Sequence, residues 1–150
     1  MSCLDNLVTA EIEDIVKILA PIADKCLGLH EGNHERTIKK YYHQDPTAIM
    51  CYKWNVPNLG DAAITRLRFI HDINAKKRPH YIITIFSIHG NVGGRKGGGK
   101  LNRLEDMMSY VDADIYLMAH AHTKEMETKT QLALDRNGKL TYRRKVLAVT

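Results

Sequence analysis

The segment YIITIFSI, Tyr81 to Ile88, constrains the fold more than any other stretch of this 150-residue chain. It is almost wholly apolar and rich in β-branched side chains, the pattern of a strand buried on both faces. It runs directly into HGNVGGRKGGGK, where Gly90 is followed by glycines at 93, 94, 97, 98 and 99. That density of glycine opposes regular structure and allows close backbone approach to a ligand. A buried strand feeding an irregular loop belongs to a layered α/β or α+β fold.

The remaining segments supply the layers. Leu7, Val8, Ile12, Ile15, Val16, Leu19 and Ile22 recur at helical spacing, with Glu11, Glu13, Asp14 and Lys17 on the other face, which predicts an amphipathic helix from Leu7 to Ala23. KCLGL then reads as a short buried strand and RTIKKYYH as a helix that starts close to Asn33-His34. Asp45-Pro46 opens a helix through TAIMCYKW that stops before Val56-Pro57. AAITRLRFI predicts a half-exposed strand, LNRLEDMMSYV a helix and ADIYLMA a third buried strand. ETKTQLALD and LTYRRKVLAV close the chain as two strands around Arg136-Asn137-Gly138. No repeat or linker interrupts this order, and residues 1–150 are expected to form a single domain.

Composition narrows the class only broadly. A net charge of +5 suits an anionic substrate such as a phosphate ester or nucleic acid, although pairs such as Lys39-Lys40 and Arg143-Arg144 are ordinary solvated surface charge. The three cysteines, Cys3, Cys26 and Cys51, form no short-range pair and follow no apolar leader, which predicts a reduced, cytoplasmic chain. No stretch approaches the ~18 consecutive apolar residues of a membrane span, so no membrane partner is expected.

Three histidine-bearing turns occupy one kind of position, the loop after a buried strand: Asn33-His34, His89, and His120 with His122. In open α/β sheets sites form at the carboxyl ends of strands, so turns distant in sequence can converge. Imidazole suits borderline divalent metals, and an asparagine amide oxygen adds a neutral hard ligand. On an extended segment, residues two apart present their side chains to the same side, which makes His120 and His122 a natural ligand pair. His43, His71 and His80 read as surface or core residues, and His30 is undecided.

GNHE at Gly32 to Glu35, HG at His89 and AHAH at Ala119 to His122 resemble, in order and approximate spacing, the last three motifs of the calcineurin-like metallophosphoesterases, and GRKGGGKLNRLEDM...ADIYLMAHAH is similar to phage and prokaryotic members. The resemblance implies a two-layer β-sandwich flanked by helices that cleaves a phosphate mono- or diester with a metal-activated hydroxide. It implies two divalent ions, Mn, Fe, Zn or Ni, clamping the phosphate. Carried onto matching positions, Asn33, His89 and His120 hold one metal and His122 the other. The resemblance also implies that His34 faces the substrate and protonates the leaving oxygen or stabilises the transition state, while Glu35 orients its neighbours.

Two departures accompany the match. The family's Asp-x-His and Gly-Asp motifs have no counterpart in residues 1–32, and Ala119 replaces the usual glycine. The chain is therefore expected to be a partial domain, incomplete at the amino terminus and at the carboxyl terminus. The alternative expectation is a non-catalytic binding or scaffold module that keeps a phosphoesterase-like fold. The loop from Gly90 to Lys100 carries Arg95, Lys96 and Lys100 and reads either as a segment that closes over a phosphate or as a flexible connection.

Overall fold

The computed structural model describes residues 3–70, 74, 80–90, 98–135 and 137–150. The chain divides into two units, Met1–Asp61 and Ala62–Thr150. Arg95 and Lys96 lie outside the described residues, as do His71 and the glycines at 93, 94 and 97.

In the first unit, helix α1 runs over Cys3–Leu19 and gives way to a 3-10 turn, Ala20–Lys25. The helix stops short of Ala23 because Pro21 has no N–H to continue the α-helical ladder. Strand β1 is only Leu29–His30 and pairs in parallel with β2, Asn58–Gly60. The KCLGL strand is cut to this length by Gly28, whose φ of +148° suits glycine alone. A Cβ there would stand 2.7 Å from Leu59 Cγ and 2.8 Å from the Pro57 carbonyl oxygen. Helix α2 spans Asn33–Tyr42 and α3 spans Pro46–Trp54. Asp45 caps α3 by accepting from the Ala48 N–H at 2.9 Å, and Asn55 ends it in the left-handed conformation.

The second unit is a five-stranded mixed sheet in the order β3-β4-β5-β7-β6. Its strands are β3 Ala62–Ile70, β4 His80–Ile88, β5 Ile115–Met118, β6 Glu125–Leu134 and β7 Leu140–Val149. The inner three, β4, β5 and β7, are parallel; β3 and β6 flank them antiparallel. The β6–β7 hairpin turns where Asn137-Gly138 predicts it. Asp135 Oδ1 accepts from the N–H groups of Asn137 and Lys139, each at 2.8 Å, and Gly138 takes a φ of +76°.

Helix α4, Gly98–Met107, packs Leu104 against Phe86, Tyr116, Met118, Leu147 and Val149, with Ala113 and Ala121 completing the buried cluster. These side chains alternate along their strands, so they share one face of the sheet. Phe86 is the buried residue of β4, and Ile82, Ile83, Thr84 and Ile85 before it are half-buried. The strand is thus buried only at Phe86 and half-buried along the rest of Ile82 to Ile88, short of the burial on both faces that its composition predicts. The helix itself starts at Gly98, three residues before the first apolar position, because Lys100 and Leu101 are fixed by burial contacts that outweigh the glycines' entropy. It ends at Met107, after which hydrogen bonds Met108 N to Glu105 O, Ser109 N to Asp106 O and Tyr110 N to Met107 O tighten the chain into 3-10 geometry.

The fold is mixed α/β, with a five-stranded sheet and helices. No helix among the described residues is long and apolar enough to cross a membrane.

Candidate metal centre

Strands β4 and β5 are parallel and in register, with Ile88 opposite Met118. Both therefore end at the same level, and the Ala119 N–H donates to the Ile88 carbonyl at 3.1 Å to carry the pairing one residue further. His89 and His120 follow at once. Their ring centres lie 5.1 Å apart, and those of His120 and His122 lie 5.5 Å apart. His89 and His120 are half-buried, and His122 is exposed.

The spacing can be compared with that of a metal site. An ion bonded at ~2.1 Å to a ring nitrogen lies about 3.2 Å from the ring centre, and tetrahedral imidazoles then hold their centres about 5.3 Å apart. His89 and His120 already stand at that separation. Among the described residues no three His, Cys, Asp or Glu side chains are grouped as a ready-made metal site. The donor chemistry and the ring spacing fit a divalent ion.

Glycine at position 90 is what allows the two loops to meet. Gly90 has a φ of +84°, and a Cβ on it would lie 2.8 Å from Met118 Cγ and 2.9 Å from the Ala119 carbonyl oxygen. The HG dipeptide thus has a steric cause: a side chain after His89 would push the loop off β5.

The pairing of His120 with His122 has a different basis from the extended geometry expected. Both residues are left-handed, with φ of 64° and 52°. For a residue with a Cβ this conformation costs about 1–2 kcal/mol, and such outliers gather at functional sites. Between them Ala121 is buried at 3% exposure, and its N–H donates to the Thr150 carbonyl at 3.1 Å. The segment is bent and pinned at its centre, with His120 half-buried and His122 exposed. No glycine marks this turn in the sequence.

Lys100 is not on the loop where it was expected. It belongs to α4, is 4% exposed, and its ammonium donates to the Ala121 carbonyl and to Thr123 Oγ1, the latter at 3.2 Å. A lysine after a glycine run looks like a surface phosphate ligand, so its burial under the histidine turn could not be read from the sequence.

Asn33 and His34 belong to the first unit. The GNHE turn does lie between a strand end and a helix start. Gly32 is the buried, extended N-cap of α2, with φ −83° and ψ 171°, and Asn33 and His34 are its first two residues, both exposed. The helix is closed there by Arg36 N–H to Gly32 O at 3.1 Å and Thr37 Oγ1 to Asn33 O at 2.9 Å. Glu35, half-buried in the first turn, meets the positive end of the helix dipole. On the adjoining strand, His30 Nδ1 is hydrogen-bonded to the Gly60 carbonyl at 2.9 Å, which gives that histidine a structural partner.

Comparison with known protein families, characterised proteins and solved structures finds no match for the chain.

Proposed function

We propose that this chain carries part of the active site of a metal-dependent phosphoesterase. The observation that carries the reading is the histidine cluster at the carboxyl ends of two adjacent parallel strands, where α/β sheets build their sites. In this reading His89 and His120 bind one divalent ion and His122 binds a second. Bound divalent ions supply Lewis acidity toward the phosphate and lower the pKa of water, so that a nucleophile exists at neutral pH.

The chain's own residues have separate tasks. The left-handed turn at His120 to His122 presents two imidazoles from three residues of backbone, and Gly90 keeps His89 within reach of the first. His34, exposed at the start of α2, delivers a proton to the leaving oxygen. The roles of Asn33 and His34 derive from the resemblance of GNHE. The two-layer β-sandwich, the cytoplasmic setting and a nucleotide or nucleic-acid ester as substrate belong to the same proposal. Free thiols at Cys26 and Cys51 are compatible with that setting.

The test is manganese-dependent hydrolysis of a generic phosphodiester, assayed on the chain alone and after fusion to an amino-terminal segment bearing Asp-x-His and Gly-Asp motifs. Activity that needs the metal and disappears in His89→Ala and His34→Ala is the expected result. Failure of the fused protein to hydrolyse any phosphodiester, with manganese bound, would leave the scaffold reading in its place.

A further inference from the structure

The turn that holds His120 and His122 is tied at its middle residue from both sides. Ala121 donates its N–H to the carbonyl of Thr150, just past the end of β7, and accepts at its carbonyl from the Lys100 ammonium of α4. The same ammonium reaches Thr123 Oγ1 at 3.2 Å, one residue beyond the histidine pair. Lys100 is only 4% exposed. Burying an ammonium is costly unless its donors are used, and here two of its partners belong to the histidine turn.

That bonding has a conformational consequence. His120 and His122 both take left-handed backbones, which residues bearing a Cβ avoid. Relaxing either one swings the peptide groups next to Ala121 and moves its carbonyl. A charge-assisted hydrogen bond to that carbonyl, from a side chain anchored on a helix, opposes the swing.

We propose that Lys100 is the positioning residue of the His120–His122 pair, holding the turn in the strained form that keeps both imidazoles together. The metal consequence rests on the phosphoesterase reading; the positioning itself is a property of the turn. Lys100 touches neither substrate nor ion in this scheme and acts through the Ala121 carbonyl.

The test uses the whole 150-residue chain with Lys100→Met, Lys100→Arg and Thr123→Val, zinc alone as the probe, and two readouts. Calorimetry gives zinc affinity, and the imidazole C–H resonances of His120, His122 and His80 report local geometry without metal. Lys100→Met is expected to shift the His120 and His122 resonances, leave those of His80 unchanged and weaken zinc binding about 10–100-fold, the size found when partners behind a ligand are removed. Lys100→Arg, which keeps donors on a long stem, recovers part of that loss, and Thr123→Val gives a smaller shift of the same two resonances. Folded Lys100→Met with unmoved His120 and His122 resonances overturns the proposal. If Lys100→Met does not fold, unmoved resonances in Thr123→Val overturn it. A wild-type chain that binds no zinc defeats the metal reading, and the resonances still decide the role of Lys100.

Discussion

The rings of His89 and His120 stand 5.1 Å apart because their strands end in register, one residue beyond the bond from the Ala119 N–H to the Ile88 carbonyl. Sheet pairing, not side-chain packing, sets their separation. The second pair, His120 and His122, is instead held by a strained turn, and the two arrangements respond differently to substitution.

His122 contributes an exposed ring from a backbone that glycine would adopt without strain. His122→Gly removes the αL cost of about 1–2 kcal/mol while adding glycine's greater unfolded-state freedom, roughly 0.5–1 kcal/mol. Stability measured by urea denaturation is expected to stay level or rise by up to about 1.5 kcal/mol. Manganese or zinc affinity, measured by calorimetry, falls at least tenfold. A histidine kept for packing alone would give the reverse, with lost stability and unchanged binding.

Gly90 has no such tolerance. Gly90→Ala places a methyl within 3 Å of Met118 Cγ and the Ala119 carbonyl oxygen and demands a φ of +84° from alanine. Combining overpacking with left-handed strain, the loss is about 2–4 kcal/mol. Denaturation by urea measures it, and the imidazole resonances of His89 and His120 should move together in whatever fraction remains folded. Wild-type stability in this variant would mean that the β4 and β5 loops do not meet at this point.

Much of this arrangement is legible from local chemistry. Asp135, Asn137 and Gly138 announce the hairpin because short polar side chains and glycine satisfy turn backbone. The GNHE turn announces a helix start through Gly32 and an acidic first turn at Glu35. The left-handed backbones at His120 and His122 leave no such mark, since nothing in a histidine codon position distinguishes strain from an extended strand. Lys100 is illegible for a related reason: its partner is a backbone carbonyl 21 residues away, and carbonyls are present at every position. The alternation of AAITRLRFI shows the limit of pattern alone. Ala63, Thr65 and Leu67 form its half-buried row, while Ile64 is 58% exposed on the edge strand.

A second buried lysine permits a pH test of the sheet itself. Lys145 is 1% exposed, and its ammonium donates to the Ala113 carbonyl at 2.6 Å and to Asp112 Oδ1 at 2.5 Å. Arg143 adds a contact to Asp112 Oδ2 at 3.2 Å. The hydrogen bond from Lys145, set against partial burial and helped by the charges of Lys145 and Arg143, holds the Asp112 carboxyl below the ordinary carboxylate value. A carboxyl whose pKa is lowered on folding stabilises the fold above its unfolded value of about 3.9, and that contribution fades as pH falls through the lower folded value. Asp112 is 69% exposed, so water screens the pair, and Asp112→Asn is expected to cost about 1–2 kcal/mol near pH 7, below the full penalty for breaking a buried pair. Urea midpoints of the two proteins should stay separated from pH 7 to about 5 and draw together below about pH 4. A gap that persists unchanged at pH 3 would show that the Asp112 charge adds nothing to the fold.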